Sequence, residues 1–185
     1  MCFAGSVGHT LLQALCKWET QLNPLEVIQL KKNHLARLAN QNGATGEIES
    51  VKSNDSWVPR PKGQELKNLI QMLEAEGVVI KRSSFDAVSL PEDVSVNFND
   101  VNSIKSVLHQ MTFIEIKTAN QDRVKEDFSG FFFALTESEI SAAEALGERH
   151  KVALFNKKTS QIVMTSVPDI INRARSMTWQ VSVQL

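Results

Sequence analysis

Apolar residues along this chain switch between helical spacing and strand alternation, and the switches predict its elements. Leu11, Leu12, Leu15 and Trp18 are spaced for one face of a helix. Asn23 followed by Pro24 supplies a capping residue and a proline at the first helical position, predicting a second helix from Pro24 to about Ala39. Residues 40–63, NQNGATGEIESVKSNDSWVPRPKG, are rich in Gly, Ser, Asn and Pro, which favour turns by fixing φ or allowing it to be positive. This stretch is expected to be a linker. Beyond it Leu66, Leu69, Ile70 and Leu73 form an i, i+3, i+4, i+7 stripe, a helix that Gly77 can close in a left-handed conformation.

GVVIKRSSFDAVSL then reads as two short strands around a polar turn, and FIEIKTA (Phe113 to Ala119) as a third, after a stretch from Pro91 to Met111 with no clear period. The run GFFFAL is expected to be a buried apolar strand. Thr136 with Glu139 three residues later makes a capping box for a helix with Ile140, Ala143 and Leu146 inward and Gly147 at its end. KVALF and QIVMT read as strands joined by the hairpin loop NKKTS. Val167, Ile170, Ile171, Ala174 and Met177 predict an amphipathic helix between Ser166 and Met177, and Trp179, Val181, Val183 and Leu185 a closing strand. The expected organisation is an N-terminal helical arm and linker, residues 1–60, followed by an α/β domain, residues 61–185.

Composition narrows the function classes. With 185 residues and a formal net charge of -1, the chain has no global basic field, so any nucleic-acid contact must be local. Its two cysteines, Cys2 and Cys16, have no paired spacing for zinc and supply no disulfide framework. His9, His34, His109 and His150 form no HxH or HxxxH pair and read as structural or surface residues. No apolar run is long enough to span a bilayer, and no basic n-region precedes the first apolar residues, so a cytoplasmic protein is expected. P-loop, G-x-S-x-G and H-E-x-x-H patterns are absent.

One strand carries candidate chemistry. In FIEIKTA, Glu115 and Lys117 share one face of the strand while Ile114 and Ile116 share the other. A carboxylate and an ammonium side by side on a strand are either a simple ion pair or part of a site for a metal and a phosphate.

The predicted order of helix, three strands, helix and strand, with Glu115-Ile116-Lys117 on the third strand, resembles the PD-(D/E)xK restriction-endonuclease-like superfamily over residues 61 to 165. The run from Thr136 to Phe155 further resembles its branch of NO VEIN C-terminal-type domains and restriction endonucleases. The resemblance implies an αβββαβ core, a mixed central sheet flanked by helices. It implies a Mg²⁺-dependent endonuclease, with Mn²⁺ as substitute, that hydrolyses DNA phosphodiesters to 3′-hydroxyl and 5′-phosphate ends in restriction or phage defence. Asp86 and Glu115 are then the acidic metal ligands, with the Ile116 carbonyl beside them, and Lys117 orients the attacking water or stabilises developing charge. Asp93 and Asp100 are alternatives to Asp86, because the Pro91 to Met111 stretch could itself hold the relevant strand, and the sequence lacks the literal Pro-Asp of the family name. Glu65 corresponds to a helix carboxylate that assists metal or water in some branches, and Gln121 is placed to reach the scissile phosphate. DNA is the implied partner, with a homodimer or a larger defence complex as the assembly.

Arg123, Lys125, Lys157, Lys158, Arg173 and Arg175 are candidate phosphate contacts, although Asp122, Glu126 and Asp127 offset the first two. Phe131, Phe132 and Phe133 read as strand core in preference to a base-stacking surface. The alternative function is a non-catalytic nucleic-acid-binding or assembly module that keeps a nuclease-like fold.

Overall fold

The computed structural model describes residues 45–177 apart from 52, 53 and 55. The helices expected before residue 40 and the strand expected at Trp179 to Leu185 lie outside the described residues. Those that are described belong to the compact unit Gln41–Leu185.

Among the described residues five strands form one mixed sheet in the order β1 (Trp57–Pro59), β2 (Ala87–Ser89), β3 (Thr112–Ala119), β4 (His150–Asn156) and β5 (Gln161–Thr165). The first three are antiparallel neighbours, β3 and β4 are parallel, and β5 returns antiparallel to β4. Among the described residues five α-helices accompany the sheet: α1 (residues 45–51), α2 (Gly63–Ala75), α3 (Val101–Val107), α4 (Glu137–Leu146) and α5 (Val167–Arg173). The parallel β3–β4 step requires a crossover, which the segment containing α4 supplies.

Alternation along β3 divides the core. Ile114 and Ile116 join Val51, Ala87, Ala153 and Phe155 on one face. On the other, Phe113 belongs to a cluster under α2 and α3, while Ala119 belongs to a second cluster with Val152, Leu154 and Val167. Glu115 and Lys117 lie between Phe113 and Ala119, at the seam where these two apolar clusters meet. The charges therefore occupy a gap in the core and not an exposed strand face.

Helix α1 approaches β3 closely. A Cβ placed on Gly46 would come within 2.3 Å of the Thr118 side chain, so only glycine lets the helix lie there.

Most local signals correspond to observed elements. Helix α2 stops at Ala75 with Gly77 following at φ 81, and α4 has the Thr136/Glu139 capping box. The KVALF–QIVMT hairpin is β4 and β5, and α5 is capped by Ser166. Four stretches differ from the sequence reading. GVVI is not a strand: the Val78 N–H donates to the Leu73 carbonyl to finish α2, Ile80 is buried in the core, and Val79 is 71% exposed. The first strand is instead Trp57–Pro59, inside the stretch expected to be linker, and its proline sits at an edge where no ladder donor is needed. The Pro91 to Met111 stretch holds α3, whose N-cap Asp100 accepts from the Asn102 N–H at 2.9 Å. Finally GFFFAL forms no strand and pairs with none among the described residues, and its residues alternate between half-buried and exposed.

Candidate functional site

Register brings the site together. Pro59 is paired with Ala87 and Ala87 with Ile114, so one step along the three strands sets Arg60, Asp86 and Glu115 in a row across β1, β2 and β3. Backbone hydrogen bonds hold that row: Arg60 N–H to the Asp86 carbonyl at 2.9 Å, and Asp86 N–H to the Ile114 carbonyl at 2.7 Å. Phe85 packs edge-on against Phe113 with ring centroids 5.1 Å apart, which anchors the bend that carries Asp86. The Asp86 carboxylate accepts from the Ile116 N–H at 2.9 Å. Since N–H and C=O of one strand residue point to the same side, the Ile116 carbonyl faces the Asp86 side of β3 as well.

Lys117 lies one turn of the pleat beyond Glu115. Its ammonium contacts Glu115 Oε1 at 2.8 Å and Glu139 Oε2 at 2.9 Å. The same Glu139 oxygen accepts the Thr136 N–H at 2.9 Å, so the capping box of α4 also fixes the lysine. An ammonium has three protons to donate. Two carboxylates from opposite walls leave one donor direction free.

The electrostatics are those of carboxylates crowded out of water. Glu115 is 5% exposed, and its Oε2 is buried without a hydrogen-bond partner. Burial first, then the charge of Asp86, push its carboxyl up to about 8 from 4.5. Asp86 is also raised, by burial, against the opposing effects of the Ile116 N–H and Arg60. Burial pulls Lys117 down, but Glu115 and Glu139 more than offset it and hold the ammonium above its ordinary value. Arg60 approaches Asp86 Oδ1 at 3.8 Å and donates to the Phe85 carbonyl at 2.7 Å. Glu47, on α1, is raised by burial and then by the charge of Asp86.

Of the residues singled out in the sequence, Asp86, Glu115, Ile116 and Lys117 come together. Glu65 does not join them: its Oε1 accepts from Asn99 at 2.8 Å, tying α2 to the loop before α3. Gln121 is exposed in the turn after β3, and no hydrogen bond among the described residues links its side chain to the cluster. Asp93 is exposed in a turn and Asp100 caps α3, so Asp86 is the acidic residue that reaches Glu115. Lys157 and Lys158 are engaged by Glu49 and Asp122, and Arg173 donates to the Asp127 carbonyl. Arg175 is exposed and in no ion pair among the described residues.

Sequence reasoning missed three members. Glu139 was legible as a cap, but its reach to Lys117 depends on the crossover. Glu47 and Arg60 lie in the Gly/Ser/Asn/Pro-rich stretch, where turn composition conceals a short helix and an edge strand.

Among the described residues no three His, Cys, Asp or Glu side chains form a ready metal cage. Two facing carboxylates, one with an unpartnered buried oxygen, nonetheless fit Mg²⁺, which retains several waters and typically takes one or two protein carboxylates plus substrate oxygens. Glu47, Asp86, Glu115 and Glu139 stand against Arg60 and Lys117, an excess of two negative charges when all are ionised. No protein family, curated protein or solved structure matches this chain.

Proposed function

We propose that the Asp86–Glu115–Lys117 cluster is the catalytic centre of a divalent-metal-dependent nuclease that hydrolyses DNA phosphodiesters. The observation that carries this reading is the buried Glu115 Oε2, left without a partner opposite a second raised carboxylate. A stable core rarely leaves such an oxygen unsatisfied, since the cost is about 1–3 kcal/mol or more for a charged group. A bound cation would offset it. Asp86, Glu115 and the Ile116 carbonyl are the groups that would hold the ion, which would polarise a phosphoryl oxygen and acidify a water.

The protein's own residues do the positioning. Glu139 and Glu115 fix the Lys117 ammonium so that its remaining donor is aimed at a water or a non-bridging phosphate oxygen, where it stabilises charge without reorganising. Arg60 and the Ile116 N–H keep Asp86 turned toward Glu115. The seam between the two apolar clusters limits water around the reacting groups. Read from α1, the order α1, β1, β2, β3, α4, β4 follows an αβββαβ core with α2 and α3 intervening, which supports a restriction-endonuclease-like arrangement and with it a role in restriction or phage defence.

A second reading has an observation of its own. Lys117 is satisfied by two carboxylates and no three-ligand cage is present, as expected of a structural charge network in a non-catalytic binding module. Incubating the purified chain with supercoiled plasmid and a matched RNA, in Mg²⁺ or Mn²⁺ and in EDTA, separates the two. Nicking of the plasmid only with metal supports the nuclease. Metal-dependent cleavage of RNA alone changes the substrate, and no cleavage of either supports the binding module.

A further inference from the structure

The chain that joins Lys117's strand to Glu139's helix contains a feature the proposed chemistry does not use. From Phe131 to Leu135 it is neither helix nor strand, with Phe131, Phe133 and Leu135 turned inward against the cluster of Ala119, Val152 and Leu154. The Phe131 and Phe133 rings are 4.9 Å apart and fix the segment from below. Phe132 points the other way and is 72% exposed. Among the described residues no backbone hydrogen bond takes the N–H or C=O of Phe132, Phe133, Ala134 or Leu135. The segment is thus held by its inward side chains alone and presents an aromatic ring with free peptide groups around it.

The backbone of Arg123 lies next to it, in a loop that also carries Asp122, Glu126 and Asp127. Gly130, at φ 83, lies so close to the preceding loop that a Cβ there would be 3.0 Å from the Arg123 carbonyl oxygen. This packs Arg123 against the chain two residues before Phe132. Arg123 is exposed and in no ion pair among the described residues. The distance to the cluster is bounded by covalent geometry. The four residue steps from Phe132 to Thr136 span at most roughly 13 Å, and the Thr136 N–H reaches Lys117 through a single Glu139 oxygen. Phe132 is therefore within roughly 20 Å of the Lys117 ammonium, the rise of about six stacked nucleotides.

We propose that Phe132 and Arg123 form a nucleotide subsite of the same centre, in which an unpaired base a few nucleotides from the scissile phosphate stacks on the Phe132 ring while Arg123 meets the backbone phosphate. The proposal rests on the nuclease reading and adds a preference for single-stranded or frayed substrate, because a base offers its face only when it is unstacked. A second copy of the chain is the weaker occupant. One ring bordered by Ala134, Gly130 and a charged loop does not make the contiguous apolar surface that a stable dimer buries.

The test uses the Lys117→Ala chain in Mg²⁺, so that bound oligonucleotide stays intact, with fluorescence anisotropy of labelled single strands and blunt duplexes. Phe132→Ala is expected to weaken single-strand binding about 10- to 100-fold, Phe132→Trp to preserve it, and Phe132→Leu to lose it. Arg123→Ala is expected to weaken binding and lower the salt slope by about one. Because Phe132 is exposed, its thermal midpoint should stay within about one or two degrees, which separates lost stacking from lost folding. Equal affinity of Phe132→Ala and its parent overturns the subsite and leaves the nuclease reading standing. Failure of the parent to bind any oligonucleotide, with no nicking by the native chain, overturns both. A dimer that Phe132→Ala dissolves without changing oligonucleotide affinity overturns the subsite in favour of a contact between copies.

Discussion

Glu115 makes a quantitative demand on the metal-free protein. Its carboxyl ionises near 4.5 when unfolded and near 8 in the fold. Between those values the folded state therefore binds more protons than the unfolded state, and stability falls as pH rises. The slope contributed by one such group is about 1.4 kcal/mol per pH unit. From pH 5 to pH 8 the ceiling is roughly 4 kcal/mol, and the expected loss is about half of that because Asp86 and Lys117 redistribute charge around the site. Glu115→Gln retains shape and loses the ionisation. In EDTA, urea unfolding followed by far-UV circular dichroism should give near-equal stabilities at pH 5 and a variant more stable by about 2 kcal/mol at pH 8. Saturating Mg²⁺ should flatten the wild-type slope, since the ion holds the carboxylate in its charged form. Parallel pH profiles for the two proteins in EDTA would refute the argument that Glu115 is buried next to another carboxylate.

Other substitutions report on other parts of the structure. Glu139→Gln keeps an acceptor for the Thr136 N–H and removes the charge opposite Lys117, so nicking should fall about 10- to 100-fold with a lower alkaline limit while the thermal midpoint changes little; Thr136→Ala should show the reverse pattern. Gly46→Ala should destabilise by about 1–3 kcal/mol through its collision with Thr118, and Thr118→Ala in the same chain should recover part of the loss. His150 is buried and its pKa is depressed by burial from 6.5, so the unfolded state takes up the proton first and stability should be lost as pH falls below about 6.5; in His150→Leu that acid loss should disappear from the unfolding profile.

How much of this was legible in the sequence depended on how local each signal was. The Thr136/Glu139 box, the α2 stripe and the alternation of FIEIKTA are encoded within a few residues, and they appear in the fold as expected. Asp86 is reached through register; the family resemblance and its place on a strand before FIEIKTA nominate it, while Asp93 and Asp100 stay open as rivals until the pairing of β2 with β3 is known. What stayed hidden was non-local. Arg60 owes its place to the pairing of a three-residue edge strand, and Glu47 to a helix whose approach depends on the absence of a side chain at Gly46. The three phenylalanines misled for a related reason. A strand is defined by its partners, and an apolar run with strand-like alternation but no neighbour to pair with leaves one ring facing water.

The most direct measurement is plasmid nicking in Mg²⁺ by a panel of folded variants whose thermal midpoints are checked in parallel. Asp86→Asn, Glu115→Gln and Lys117→Ala should each lose at least about 100-fold in rate, whereas Glu65→Gln and Gln121→Ala, which lie outside the cluster, should stay within about threefold. Nicking that survives Lys117→Ala, or that falls equally in all five variants, would contradict the assignment of catalysis to this cluster.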